Sequence, residues 1–400
     1  MVAKKGKVKN KVASAKNDYS KNVILLGLVS FLNDISSKMI EPILPMFITL
    51  LGGDSRIVGL IGGLRDSIAS LLKVVSGFYS DKIGRRKPFV FFGYFLSSVF
   101  KLLLGVSRTP IAVLFFMSFE RLGKGLRTAP RDALLADSMP KHRGKSFGVH
   151  RFFDSLGSVF GAIIVLLLIW FLRLDYKVII VIAALFGFFA LIPLFFVKEP
   201  SVKKKNIVSK QSLFKLGFLS QELKLFLVVS SLFALANINY MFFILKVQDL
   251  FVTDILKRTI PILFYILFNT FYSFLAIPFG RLSDRTSKPF VLLIGYFVFA
   301  ITMLGFAVFD SLISFALLFI LYGVALAMIN SNQRAFVADL SRSFKATSLG
   351  VYHTLVGVLA LFTNILAGFL YKLNPSLTFY YAFSMSIIAF VALFAFKNKL

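Results

Sequence analysis

Three features of the 400-residue sequence predict an all-α integral membrane protein. Its twelve transmembrane helices would form two pseudo-symmetric six-helix bundles, with both termini cytoplasmic. The chain is 58% hydrophobic and only 16% charged, with 49 Phe and no Cys. Soluble domains are about 45–50% apolar and about one-quarter charged. The apolar residues fall in twelve runs long enough to cross a bilayer, which takes about 20 residues. The two halves of the chain also resemble each other.

The runs lie near 22–50, 57–78, 89–107, 110–130, 147–171 and 177–197, then near 223–250, 258–280, 289–309, 311–334, 346–371 and 376–396. They are continuous rather than alternating, which favours helices over a membrane barrel. Pro42 and Pro45 should break helix 1, Pro130 should end or kink helix 4, and Pro278 sits at the end of helix 8. Basic residues fix the orientation: 27 Lys and Arg fall in the N-terminal segment and the loops on its side, against seven on the opposite side. The Lys-rich start and the run from Val23 suggest a retained first helix rather than a cleaved signal, because the run is long and has no small-residue cleavage site.

The expected organisation is a basic cytoplasmic tail at 1–21, a bundle at 22–197, a cytoplasmic linker at 198–222 and a second bundle at 223–400. Residues 77–90 match 280–291 with two residues deleted; Ala136-Asp137 matches Ala338-Asp339, and Gly148-Val149 matches Gly350-Val351. Asn33 falls opposite Asn237. Six-helix halves related by an axis along the membrane normal suit a secondary transporter with its site near the midplane.

The excess of 46 Lys and Arg over 18 Asp and Glu sits in short clusters between apolar runs, so it speaks for topology and anionic lipid rather than nucleic acid. Zero Cys excludes disulfides and thiol chemistry, and three His leave little for a metal site. No metalloprotease, P-loop or nucleophile-elbow pattern occurs, so no enzyme, cofactor or metal is expected.

Ionisable residues at membrane depth are functional candidates by default. Helix 1 carries Asn33, Asp34, Lys38 and Glu41; helix 2 carries Arg65 and Asp66; helix 4 carries Glu120, Arg121, Lys124 and Arg127; helix 5 carries His150, Arg151 and Asp154. Asp34 is the first choice for a proton carrier, followed by Glu41, Asp66 and Glu120. Asn33, Arg65, Arg121, Lys124, Arg151 and Asp154 are expected around a central cavity. The second half offers neutral hydrogen-bonding groups instead, with Asn237, Tyr240 and Asn269 as cavity candidates. Most of the Phe residues should face lipid or pack.

The turn Gly77-x-x-x-Asp81-Lys82-x-Gly84-Arg85-Arg86-Lys87 is a full match to the signature loop of the major facilitator superfamily, and the chain resembles that family throughout. Arg121-x-x-Lys124-Gly125-x-x-x-Ala129 is similar to its helix-4 motif, with Lys124 in place of a usual polar residue. Gly148, Gly157 and Gly161 have the spacing of its antiporter motif, although Ala162 stands where that motif has Pro. The resemblance implies transport of a small solute by alternating access, and the residues favour proton-coupled efflux of an organic compound. The alternative is an importer or exchanger of an anionic metabolite, suggested by the excess of intramembrane basic residues. Gly77, Asp81, Lys82, Gly84, Arg85 and Arg86, with Gly280, Asp284 and Arg285 in the second half, would form the cytoplasmic gate. The expected partners are a small solute, protons and the lipid bilayer; the expected setting is a multi-pass monomer in the plasma membrane.

Overall fold

The computed structural model describes residues 2–139, 143–199, 220–341 and 345–397. Most of the predicted linker, and parts of the basic loops at 141–145 and 342–345, lie outside the described residues. Among the described residues every regular element is an α-helix.

The first half contains α1 (Val2–Ile40), α2 (Leu44–Leu50), α3 (Ser55–Ile83), α4 (Lys87–Gly105), α5 (Pro110–Ser138), α6 (Arg143–Trp170), α7 (Tyr176–Phe189) and α8 (Leu191–Phe196). The second contains α9 (Gln221–Ala236), α10 (Met241–Gln248), α11 (Asp254–Arg285), α12 (Lys288–Val308), α13 (Leu312–Leu340), α14 (Lys345–Leu373) and α15 (Pro375–Phe396).

Helix 1 breaks at Glu41-Pro42-Ile43, and Pro45 sits in the first turn of α2, where its missing N–H costs nothing. Three boundaries differ from the sequence expectation. α1 runs back through the basic segment to Val2, α5 passes through Pro130 to Ser138, and α11 passes through Pro278 to Arg285. In membrane helices, neighbours can satisfy the carbonyl that a proline frees, so Pro is a weaker stop there than in water. A break without proline separates α9 from α10 at Asn237–Tyr240, where the Asn239 side chain accepts from Met241 N (3.2 Å) and its backbone N donates to Asn364 Oδ1 (2.7 Å).

Among the described residues, ten helical segments are long and apolar enough to cross a membrane. α3 and α5, each of 29 residues, are excluded by their charges, of which Arg65 on α3 and Glu120, Arg121 and Arg127 on α5 are buried. Helix pairing repeats between the halves. α3 packs on α5 as α11 does on α13, α4 on α5 as α12 on α13, and α4 on α7 as α12 on α15. The halves meet chiefly where α3 packs on α14 and α6 on α11, and α10 also touches α2 and α3.

The α3–α14 pair is close because small residues line it. A Cβ on Gly63 would lie 2.9 Å from Leu361 Cα, and one on Gly368 would lie 2.6 Å from the Ser55 carbonyl. Ser55 Oγ donates to Gly368 O at 2.9 Å, and Ser67 Oγ donates to Gly357 O. The second half is filled with aromatic rings: Phe233 stacks on Tyr296 with centroids 4.4 Å apart, and Phe243, Phe306, Phe319 and Phe379 interlock. Phe171, Phe274 and Phe362 instead point outward, as residues facing lipid do.

Candidate transport site

A cavity of about 280 Å³ lies between the halves. Four helices each give it one polar stripe at helical spacing. α1 contributes Asn33, Asp34, Ser37, Lys38 and Glu41; α5 contributes Lys124, Arg127, Thr128 and Arg131; α6 contributes Arg151, Asp154, Ser155 and Ser158; α11 contributes Asn269, Tyr272 and Ser273. Lys73 of α3 completes the wall.

Glu41 forms the floor. Its Oε1 accepts from Arg65 Nη2 (2.9 Å) and Arg121 Nη2 (3.4 Å); its Oε2 accepts from Lys38 Nζ (2.7 Å) and the Tyr265 hydroxyl (2.7 Å). Arg65 Nη1 also donates to Tyr240 Oη at 2.7 Å, and the Tyr240 hydroxyl donates to the Glu41 carbonyl at 3.1 Å. The Glu41 carbonyl has no helical donor, because the residue four further on is Pro45, and the Tyr240 hydroxyl takes that place. The floor therefore ties three first-half cations to two second-half tyrosines through one residue, Tyr265 at its carboxylate and Tyr240 at its carbonyl.

Beyond the floor the halves remain joined. Asp54 caps α3 by accepting from Arg56 N (3.1 Å) and Ile57 N (3.4 Å), and it pairs with Lys372 of α14 at 3.0 Å. Towards the other end the packing is looser, although a Cβ on Gly350 of α14 would still meet Val74 of α3 at 3.9 Å. A Cβ on Gly148 of α6 or Gly280 of α11 would meet no atom within 4 Å, although these two helices are neighbours further along. The cavity is closed by the Glu41 floor at the end carrying the 51–54 turn and reaches the surface at Arg151, whose side chain is 69% exposed.

Along the wall, Asp34 accepts from Asn33 Nδ2 at 3.3 Å. Asp154 accepts from Ser30 Oγ, lies 3.6 Å from His150 Nδ1 and pairs with Arg151 at 3.9 Å. Behind the wall, Lys101 of α4 is 2% exposed and donates to Ser36 (3.0 Å), Ser37 (2.9 Å) and Asn33 Oδ1 (3.5 Å). Arg127 also donates to Asn33 Oδ1 (3.3 Å) and to Ser97 Oγ (2.5 Å), over the face of Tyr94.

Of the sequence candidates, Asn33, Asp34, Glu41, Lys124, Arg151, Asp154 and Asn269 line the cavity, and Arg65, Arg121 and Tyr240 meet at its floor. Asp66 sits aside and accepts from Asn239 Nδ2 at 3.4 Å; Asn237 ends α9; Glu120 faces Arg121 Nε at 3.0 Å behind the floor. Lys73, Lys101 and Tyr265 escaped the sequence reading. Both lysines interrupt apolar runs and were legible as such, whereas Tyr265 is one aromatic among many.

At the signature turn, Gly84 closes α3 with φ 73°, a conformation that suits glycine. Arg86 bridges Asp137 and Asp81 (3.1 Å), and its backbone N–H donates to Glu199. Lys87 Nζ donates to the carbonyls of Phe195 (3.0 Å) and Val197 (2.7 Å) at the end of α8. The second half repeats the bridge with Lys288 between Asp339 (2.6 Å) and Asp284 (3.7 Å). Gly77 faces Ala129 of α5, while Lys82, Arg85 and Arg285 are exposed.

A polar cavity enclosed by two similarly paired helical halves within an apolar shell defines a membrane transporter. The chain belongs to the major facilitator superfamily, whose family model matches residues 26–256 and 257–399. An uncharacterized MFS-type transporter of Methanocaldococcus jannaschii is 48% identical over 93% of this chain and 94% of that protein. The multidrug resistance protein MdtH of Shigella dysenteriae is 31% identical over 33% of this chain and 32% of that protein. Among solved structures, the nucleoside transporter NupG superposes with a TM-score of 0.78 at 15% identity, covering 94% of this chain and 98% of that one. A bacterial homolog of the human lysosomal transporter Spinster does so with a TM-score of 0.72 at 15% identity, covering 94% and 95%. The protein is a transporter, not an enzyme.

Proposed function

We propose that the protein is a twelve-span, proton-coupled secondary transporter that moves a small organic solute by alternating access, as a monomer in the plasma membrane with both termini cytoplasmic. Two six-helix halves, 22–197 and 223–400, would rock about the central cavity, joined by the 198–222 linker. The observation that carries this reading is the one-sided cavity, sealed by the Glu41 floor at one end and reaching the surface at Arg151. With the basic loops cytoplasmic, this is the inward-open state.

Asp34 is the proposed proton carrier. It lines the cavity, and its one side-chain hydrogen bond is to Asn33, whereas Glu41 is occupied by three cations and a tyrosine. Export is favoured by the partial similarity to a multidrug resistance protein. The second reading, import or exchange of an anionic metabolite, is favoured by the basic residues of the wall.

Luminal pH in proteoliposomes, begun at equal pH on both sides, tests the coupling. Adding a transported solute outside should alkalinise the lumen of wild-type vesicles and leave Asp34→Asn vesicles unchanged. Acidification would mean symport and import. Entry of labelled solute with no pH change in wild-type vesicles would remove Asp34 from the coupling role.

A further inference from the structure

We infer that the cavity holds the anionic group of its solute, a carboxylate or phosphate, against Lys124, Lys73 and Arg151 of the first half. The inference rests on the transport reading above and names the substrate class of that site. Six basic side chains line the cavity against three acidic ones. Only one of the acids, Asp34, whose side-chain hydrogen bond is to Asn33, is left to balance them. Glu41 is taken up in the floor, and Asp154 already serves Ser30 and Arg151 and lies beside His150.

Among the cations, Lys38 belongs to Glu41, Arg131 pairs with Asp132 at 2.9 Å, and Arg127 is satisfied by Ser97, Asn33 and the Gly93 carbonyl. Lys73 and Lys124 make no side-chain hydrogen bond or ion pair among the described residues, and Arg151 has only its long contact with Asp154. Ammonium groups at membrane depth are costly unless paired, and closing the halves would remove the water that now solvates them. An anion carried into the cavity supplies the missing partner. Lys124 also stands in place of the polar residue usual in the resembled helix-4 motif.

The facing wall differs in kind. Asn269, Tyr272 and Ser273 of α11 are neutral donors and acceptors. A solute with an anionic end and a neutral polar body would bridge the halves, its charge on the first and its hydroxyl or amide groups on the second.

The test uses purified full-length protein in nanodiscs and proteoliposomes. The probes are succinate, citrate, inorganic phosphate and glycerol 3-phosphate, with succinamide and glycerol as neutral partners. At least one anion should raise the melting temperature saturably and drive its own counterflow, while its neutral partner does neither. Lys124→Gln should weaken that binding about tenfold or more, and Lys124→Arg should keep it within about threefold, as loss and retention of one charge-assisted contact require. Lys73→Gln should weaken it less. Saturation by none of the four anions below about 10 mM would overturn the inference, as would equal binding of a neutral partner or unchanged affinity in Lys124→Gln. Anion binding without counterflow would instead leave the site and sink the transport reading. Counterflow of a neutral or cationic solute alone would do the reverse.

Discussion

The Tyr265 hydroxyl of α11 donates to Glu41 Oε2 of α1 at 2.7 Å, across the boundary between the halves. Lys38 Nζ lies 2.7 Å from the same oxygen, so this phenol completes the shell of a buried carboxylate that three first-half cations already hold. A hydrogen bond to a charged group contributes about 1.5–3 kcal/mol. Tyr265→Phe should therefore shift the balance between closed and open floors by about tenfold or more towards open. Because the chain has no Cys, spin labels at Leu50→Cys and Leu373→Cys, on the two halves at the end carrying the 51–54 turn, report this without background. A longer-distance population should grow in Tyr265→Phe, and an unchanged distribution would remove the phenol from the closure.

The α3–α14 seam makes a separate prediction. A methyl at Gly63 would sit 2.9 Å from a backbone carbon, where only a shift of the helix can relieve it. Overpacking of this kind costs about 1–3 kcal/mol. Gly63→Ala should lower the melting temperature by several degrees and reduce transport, whereas Gly280→Ala, with open space around it, should leave the melting temperature unchanged. Equal effects at the two positions would mean that the seam does not limit stability.

How far the sequence carries the reading depends on which residues are asked. Apolar runs reveal most membrane helices because hydropathy sums over about 20 residues and tolerates local error. The charges on α3 and α5 are equally plain, and their burial follows from the cost of turning them to lipid. What a single sequence does not contain is pairing. Asp66 and Glu41 are both acids in or beside a charged run, yet one meets an asparagine and the other four donors from four helices. Tyr265 could not be distinguished from the other twelve tyrosines until α11 was seen to cross the floor. The break at Asn237–Tyr240 was hidden for a similar reason: its stabilising partner, Asn364, lies 125 residues away.

Acid should loosen the closure at the 51–54 turn through Asp54. The hydrogen bond from Arg56 holds its carboxylate below the ordinary range, burial opposes this, and Lys372 and the Ile57 N–H reinforce it. A lowered folded value means that this contribution is full above the ordinary carboxylate pKa of about 3.9 and is lost as pH falls through the depressed value. The Leu50→Cys/Leu373→Cys distance should be the same at about pH 7 and pH 5, and should lengthen only in strong acid. In Asp54→Asn it should already be longer at neutral pH and indifferent to acid. Loosening between pH 7 and pH 5 that survives Asp54→Asn would assign the transition to another group.

The bridges at the two equivalent turns differ in a way that orders their variants. Arg86 engages Asp137, 32% exposed, and Asp81, 59% exposed, whereas Lys288 serves the equivalent Asp339 and Asp284 from one residue later in the aligned motif. An ion pair as exposed as Arg86–Asp81 contributes only about 0.2–1 kcal/mol, so Asp81→Asn should leave the melting temperature within about 2 °C. If the turn acts as a gate, the same variant should nevertheless slow counterflow severalfold, because its effect is on the passage between states rather than on folding. Asp137→Asn removes the more enclosed partner and should lower both. A guanidinium can engage two carboxylates through its planar fork, while an ammonium is a point charge, so Arg86→Lys should slow counterflow and Lys288→Arg should not. Counterflow at the wild-type rate in Asp81→Asn and Arg86→Lys together would reduce the signature turn to a determinant of topology.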